Sequence, residues 1–144
     1  MTTGASPPRG YVIGAGQGLA QARPDLKASA DSTGGQLTVF TIAVDGGPPR
    51  HTHTREDESI YLLSGRLEVE CDGEEFDATP GSFVFLPRGR PHTFRSVGGT
   101  ARGLLIVTPG GLENYFDALH AATTTGQDSS QVMAVMAEYG VHPS

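Results

Sequence analysis

Two histidines and three carboxylates stand close together in the middle of the chain and could bind a metal ion. His51 and His53 are two residues apart, so on an extended strand both imidazoles point to the same face. Glu56, Asp57 and Glu58 follow within the next five residues. Imidazole nitrogens and a carboxylate oxygen suit divalent transition metals such as Fe, Mn, Ni, Co, Cu or Zn. Two histidines in a polar loop are also commonly just solvated, so this segment alone is a weak signal.

Strand alternation distinguishes among the three carboxylates. The segment from Ser59 to Leu63 is apolar enough to be a strand, and on it Glu58 shares a face with Ile60 and Leu62. Asp57 points to the opposite face, and Glu56 lies nearer the bend, so that removing Glu56 is expected to matter little. We therefore choose Glu58 as the metal ligand and as the candidate catalytic base.

A third histidine follows a strand that ends in a Pro-x-Gly turn, and it strengthens the metal hypothesis. At this point the sequence resembles the cupin family, whose two motifs fit a set of residues in register: His51, His53, Glu58 and Gly65 in the first, and Gly81, Pro87, Gly89 and His92 in the second. There are two departures. Asp45 stands where the first motif begins with glycine, with Gly46 next to it, and Ser96 replaces the closing asparagine. The second departure is expected to alter local hydrogen bonding more than the metal site.

The resemblance implies an all-β fold, the cupin-type double-stranded β-helix (jelly-roll) barrel, with His51, His53, Glu58 and His92 holding one divalent transition metal ion. The residue pattern agrees with the fold, because about eight to ten short strands follow one another without intervening helices. They include Tyr11–Ile13, Leu26–Ala30, residues 36–44 and residues 101–108. Two short C-terminal helices then follow, from about Gly111 to Ala122 and from Asp128 to a stop at Gly140. They could cover a barrel mouth or pack on a neighbouring subunit.

Length and charge limit what can be expected of the domain number and of the binding partners. A chain of 144 residues suits one folded domain, which we divide into a flexible N-terminal arm (1–9), the cupin barrel (10–110) and C-terminal helices packing on the barrel (111–144). The net charge of -6 and pI near 5.2 argue against nucleic acid and anionic membranes as partners. No segment reads as a signal peptide or membrane span, so a cytoplasmic location is expected. The single cysteine, Cys71, receives no chemical role.

Three imidazoles and one carboxylate leave coordination positions open, which is typical of a catalytic site. Strand alternation predicts an aromatic and aliphatic pocket around the metal, lined by Ile60, Leu62 and Phe94 and by some of Phe40, Phe83 and Phe85. Such a pocket favours a flat, largely apolar small molecule with a chelating oxygen. Glu58 could remove a proton from a substrate hydroxyl, provided that the apolar interior raises its proton affinity.

Four segments are similar to the quercetin 2,3-dioxygenase-like group of cupins: Thr33–Gly35, Pro49–His53, Glu56–Tyr61 and Pro109–Glu113. This similarity implies that the flavonol binds through its hydroxyl, the glutamate takes the proton, and dioxygen opens the heterocycle with loss of carbon monoxide. It also implies a homodimer. The alternatives are a metal-dependent cyclase, isomerase or decarboxylase in polyketide or other secondary-metabolite tailoring, and a small-molecule-binding cupin without turnover.

Overall fold

The structure is a computed structural model that describes residues 6–124 and 129–144. Within these ranges it contains ten strands and three helices. In chain order they are β1 (Leu26–Ala28), α1 (Ala30–Thr33), β2 (Thr38–Val44), β3 (His51–His53), β4 (Asp57–Ser64), β5 (Leu67–Cys71), β6 (Glu74–Ala78), β7 (Phe83–Leu86), β8 (His92–Ser96), β9 (Ala101–Thr108), α2 (Leu112–Thr124), α3 (Ser129–Glu138) and β10 (Val141–Pro143).

The strands form two five-stranded antiparallel sheets, as the all-β jelly-roll expectation requires. The first sheet has the order β1-β2-β9-β4-β7 and the second has the order β10-β3-β8-β5-β6. Neighbours in each sheet are mostly distant in sequence, so each motif segment is held by strands from elsewhere in the chain. The fold prediction is confirmed, and the metal segment β3 lies inside the second sheet rather than at its edge.

The core lies between the two sheets and is made of alternate residues of their strands. Ile60, Leu62, Leu67, Val69 and Val107 are almost completely buried. Burying one such side chain contributes roughly 1.5–3 kcal/mol, so these strands define which faces point inward. This alternation places the face of β4 that carries residues 58, 60 and 62 in the interior.

Two residues of the predicted pocket point outward, away from the space between the sheets. On β7, Leu86 pairs with Glu58 and Val84 pairs with Ile60, so the even-numbered residues of this strand face the core. Phe83 and Phe85 consequently lie on the outer surface, 62% and 54% exposed. The prediction that they line the pocket is wrong, because strand side chains alternate with a strict period of two.

The N-terminal region differs from the expected strands. Tyr11–Ile13 is not a strand but an extended segment, fixed where the Tyr11 hydroxyl donates to the carbonyl of Lys27. The strand expected from Leu26 to Ala30 ends at Ala28, because Ser29 caps the short helix α1 and accepts a hydrogen bond from the Ser32 backbone. Of the predicted arm, residues 1–5 lie outside the described residues, and residues 6–9 are exposed coil.

Helix α2 packs on the barrel through the predicted face, with Leu112 and Tyr115 buried and Phe116 and Leu119 partly buried. Helix α3 follows and ends before Gly140, which has a φ of 72°, as its predicted role as a stop requires. Its predicted start at Asp128 lies outside the described residues. Among the helices of residues 6–124 and 129–144, none combines the length and hydrophobicity needed to span a bilayer.

The chain ends in a strand that the pattern did not predict. β10 pairs with β3, so that Val141 lies opposite His53 and Pro143 lies opposite His51. The backbone carbonyl of Gly140 accepts hydrogen bonds from both the backbone N–H and the hydroxyl of Thr54. The C-terminal helices are therefore tied directly to the strand that carries two of the histidines.

Candidate metal centre

The two motif segments meet side by side in the second sheet. β3 pairs with β8, and His51 lies directly opposite His92. The ring centroids of these two histidines are 4.6 Å apart, and those of His51 and His53 are 4.9 Å apart. Since residues 51 and 53 share a face of the strand, all three imidazoles project into the space between the sheets.

Glu58 reaches the same point from the opposite sheet. Its Oε1 atom lies 2.5 Å from Nε2 of His53 and 3.9 Å from Nε2 of His92. Nε2 of His51 lies 3.1 Å from Nε2 of His53, and one ligand atom from each of the four residues falls within 4.8 Å of all the others. The structure thus brings together the four residues predicted as ligands.

Two of the histidines are oriented by backbone carbonyls. Nδ1 of His51 lies 2.7 Å from the Pro49 carbonyl, and Nδ1 of His92 lies 3.3 Å from the Arg90 carbonyl. A carbonyl only accepts, so each Nδ1 carries the proton and each Nε2 keeps its lone pair. A hydrogen bond from the ring nitrogen that does not bind the metal is the usual way in which proteins orient a metal-ligating imidazole.

The donor set fits a divalent transition metal. His92 Nε2 is buried and has no hydrogen-bond partner, although buried polar atoms are normally paired, and Glu58 Oε1 contacts only the histidines of the cluster. Both atoms face the centre of the cluster, where a cation would satisfy them. Three nitrogens and one oxygen suit several metals of the first transition row, and the ligand set does not choose among Fe, Mn, Ni, Co, Cu and Zn.

Burial and mutual contact set the protonation of the cluster. Burial lowers the pKa of His51 and of His92, which favours the neutral, ligating form. Burial would also lower the pKa of His53, but contact with Glu58 outweighs it and raises that pKa. For Glu58 burial acts to raise the pKa, yet the His53 contact lowers it overall. The condition set for Glu58 as a base, that the apolar interior raises its proton affinity, is therefore not met, and its carboxylate is held ionised.

The carboxylate next to Glu58 has a different task. Asp57 points outward, and its Oδ1 atom accepts a hydrogen bond from the backbone N–H of Arg88 at 2.9 Å. In the same turn, the backbone N–H of Gly89 donates to the His53 carbonyl at 2.8 Å. The Pro-x-Gly turn before His92 is thus fastened to both β3 and β4, which fixes the direction in which the third histidine enters.

The two departures from the cupin motifs affect the loop before His51 rather than the ligands. A Cβ atom on Gly47 would lie 1.8 Å from the Phe94 carbonyl oxygen, so the close approach that requires glycine occurs here and not at Asp45. Ser96 exchanges hydrogen bonds with this loop, since its hydroxyl accepts from the Gly46 N–H at 3.0 Å. The loop is therefore held without the usual glycine and asparagine.

A cavity of about 350 Å³ opens onto the cluster. Of the predicted lining residues only Phe94 borders it, because Ile60 and Leu62 are covered within the core and Phe40 packs edge-on against Phe116. The observed lining is mostly apolar and comprises Ile42, Ala43, Val44, Asp45, Gly47, Pro48, His51, His53, Glu58, Phe94, Leu105 and Phe116. Because Phe40 faces the interior, strand alternation indicates that residues 42 and 44 also face the cavity. Nothing in the sequence shows that helix α2 places Phe116 in the cavity wall.

Glu56 is another buried acid near the cluster, and the sequence analysis expected it to matter little. It precedes β4 at the expected bend, yet it is only 8% exposed, and its Oε2 atom has no hydrogen-bond partner. Burial raises its pKa. In the sequence, only its position three residues after His53 indicates that Glu56 lies near the metal site.

Comparison with known proteins agrees with this geometry. Residues 38–108 match the cupin domain. Quercetin 2,3-dioxygenase of Bacillus subtilis is 28% identical over 118 residues, which cover 76% of this chain and 34% of that protein. The polyketide synthase protein CurC of Streptomyces cyaneus is 40% identical over 48 residues, 33% of this chain and 31% of that protein. The tetracenomycin polyketide synthase protein TcmJ of Streptomyces glaucescens is 29% identical over 83 residues, 57% of this chain and 56% of that protein.

The chain thus spans about a third of the length of the first two relatives and just over half of the third. Among solved structures, KdgF from Halomonas sp. superposes with a TM-score of 0.55 at 21% identity, over 62% of this chain and 79% of that one. At this identity the likeness concerns the fold. The sheet topology, the two motif segments and the match to the family together identify residues 38–108 as a cupin domain.

Proposed function

We propose that this chain is a metal-dependent dioxygenase that acts on a flavonol-like aromatic or enolic small molecule. The observation that carries the proposal is the convergence of three imidazoles and one ionised carboxylate at an apolar cavity. A closed structural metal site has no such cavity, whereas a catalytic site needs room for a substrate beside the metal.

The cavity supports a flat substrate with one oxygen-bearing end. Phe94 and Phe116 supply aromatic surface, and Ile42, Val44 and Leu105 supply aliphatic surface. An aromatic ring placed against these side chains is removed from water, and its hydroxyl is then directed towards His51, His53 and Glu58 in the cavity wall. Binding is therefore expected to be driven by apolar contact and oriented by the polar cluster.

Residues His51, His53, Glu58 and His92 would hold the metal, which supplies Lewis acidity and lowers the pKa of a bound oxygen. Glu58 would then accept the proton of the substrate hydroxyl. Its carboxylate borders the cavity and is ionised, so it can accept a proton, but its lowered pKa requires that the substrate hydroxyl be acidified by the metal. The walls exclude water from the deprotonated substrate, which is the species that dioxygen would attack. The relative from Bacillus subtilis bears the name of this activity.

A second candidate is a cyclase, isomerase or decarboxylase in polyketide tailoring. Similarity to two polyketide synthase proteins of Streptomyces favours it. The same cluster serves such chemistry, because an acid–base residue beside a metal can move a proton without consuming dioxygen. A cupin that binds a small molecule without turnover is the remaining alternative.

Oxygen consumption separates these candidates. The protein is loaded in turn with Fe, Mn, Ni, Co, Cu and Zn, and mixed with quercetin and other 3-hydroxyflavones, with the His51→Ala variant as control. The proposal predicts oxygen uptake and carbon monoxide release that require an intact His51. Conversion of a polyketide without oxygen uptake would instead support the second candidate, and ligand binding without conversion would support the third.

A further inference from the structure

Four buried side-chain atoms in the described part of the chain have no hydrogen-bond partner: His53 Nδ1, Glu56 Oε2, Glu58 Oε1 and His92 Nε2. The last two face the centre of the candidate metal site, and a cation would satisfy them. The first two are not explained in this way, because His53 contacts Glu58 through its other ring nitrogen and Glu56 is not part of the four-residue cluster. An unpaired buried polar atom destabilises the fold, so this remaining pair requires its own explanation.

His53 is the exception among the three histidines. Nδ1 of His51 contacts the Pro49 carbonyl, and Nδ1 of His92 contacts the Arg90 carbonyl, whereas no backbone carbonyl serves Nδ1 of His53. A neutral imidazole that ligates through Nε2 carries its proton on Nδ1. His53 therefore presents a buried donor that needs an acceptor.

Glu56 presents the matching acceptor. It is three residues from His53 and nearly buried, and no ion pair joins it to another described residue. Both unpaired atoms are buried, and Glu56 lies in the short bend that joins β3, which ends at His53, to β4. The chain therefore places the unpaired donor and the unpaired acceptor at the same bend.

We infer that Glu56 is a positioning residue of the metal centre, whose carboxylate receives the Nδ1 proton of His53 directly or through one ordered water. This contact gives His53 the orientation that backbone carbonyls give to His51 and His92. It fixes the tautomer and increases the basicity of the ligating nitrogen, and loss of such a partner typically weakens metal binding 10–100-fold. The inference revises the expectation that removing Glu56 matters little.

The inference rests on the metal centre of the proposed function and not on the dioxygenase reaction. The test compares the Glu56→Ala and Glu56→Gln variants with Glu74→Gln, which removes the same charge from an exposed position on β6. Cobalt and zinc affinities are measured by chelator competition, and the His53 tautomer is read from nitrogen-15 NMR of the zinc-loaded protein. Oxygen uptake is recorded separately.

We expect Glu56→Ala to weaken binding of both metals roughly 10–100-fold and to abolish the slowly exchanging His53 Nδ1–H signal. Glu56→Gln should recover part of the affinity, because its amide oxygen still accepts, and Glu74→Gln should match the unmodified chain. Metal affinity within twofold of the unmodified chain, with the Nδ1–H signal retained in Glu56→Ala, would overturn the inference. If the metal results hold and no flavonol is consumed, the proposed reaction fails and the inference stands.

Discussion

Oε1 of Glu58 lies 2.5 Å from Nε2 of His53, and their side chains are only 5% and 3% exposed. The contact joins the two sheets at the centre of the molecule, since His53 belongs to β3 and Glu58 belongs to β4. At this separation the two atoms share a proton, as the raised pKa of His53 and the lowered pKa of Glu58 indicate, and a metal ion that displaced the proton would contact both atoms.

Replacement of Glu58 should affect metal binding and turnover together. Glu58→Gln keeps the shape of the side chain but removes the charge and the basicity, so metal affinity should fall. With metal saturating, turnover should still fall roughly 10²–10⁴-fold, the usual contribution of a general base. Chelator competition and oxygen uptake measure the two effects. A metal-saturated Glu58→Gln variant with full activity would show that this carboxylate is not the base.

Phe116 should govern substrate affinity without affecting the metal. It borders the cavity from α2 and packs edge-on against Phe40. Loss of its apolar contact, worth roughly 1.5–3 kcal/mol, should raise the KM or Kd for a flavonol about 10–100-fold in Phe116→Ala. Phe83→Ala, on the outer surface, is the matched control. Equal flavonol binding by the two variants would place the substrate elsewhere.

Glu113 should stabilise the fold rather than the reaction. This buried carboxylate accepts hydrogen bonds from the Thr38 hydroxyl and from the backbone N–H groups of Gly111 and Ala30, which ties the start of α2 to the first sheet. Glu113→Ala leaves the Ala30 N–H and the Thr38 hydroxyl without their acceptor, while the Gly111 N–H keeps the Thr38 oxygen, and it should lower the free energy of unfolding by about 3 kcal/mol. Urea unfolding measures this loss, with the exposed Glu138→Ala as control. Similar losses in both variants would contradict the assignment.

The homodimer implied by the family resemblance stays a prediction, and the structure suggests where to test it. Tyr61, Leu63, Phe83 and Phe85 are exposed on the outer face of β4 and β7, and Tyr61 lies opposite Phe83. Contiguous exposed apolar side chains commonly mark an interface, and a two-fold pair is the commonest assembly. Sedimentation equilibrium should give a dimer for the unmodified chain and a monomer for Phe83→Lys.

The matched control is Phe76→Lys, because Phe76 is similarly exposed but lies on β6 of the other sheet. This variant should remain dimeric. A monomeric unmodified chain at micromolar concentration, or dissociation by both substitutions, would remove the case for an interface on β4 and β7.

The ligand set could be predicted because simple rules constrain it. Period-two alternation assigns Glu58 and not Asp57 to the interior, and it places His51 and His53 on one face. Glycine and proline mark the turn that delivers His92. Each of these inferences depends on local chain geometry, which the sequence determines directly.

The errors arose where position depends on distant parts of the chain. Residues 83–86 are apolar on both faces, so only the pairing with β4 shows that Phe83 and Phe85 point outward. β10 is three residues long and exists because β3 offers it a partner. Phe116 reaches the cavity through the docking of a whole helix, and the burial of Glu56 depends on the elements packed around its bend.

X-ray absorption spectroscopy combined with elemental analysis tests the metal centre most directly, on protein purified without chelator and on protein loaded with each metal. We predict one bound transition metal ion per chain, coordinated by three imidazole nitrogens and at least one oxygen, with a nitrogen lost in His92→Ala. Absence of stoichiometric metal after loading, or a coordination sphere unchanged in His92→Ala, would contradict the account.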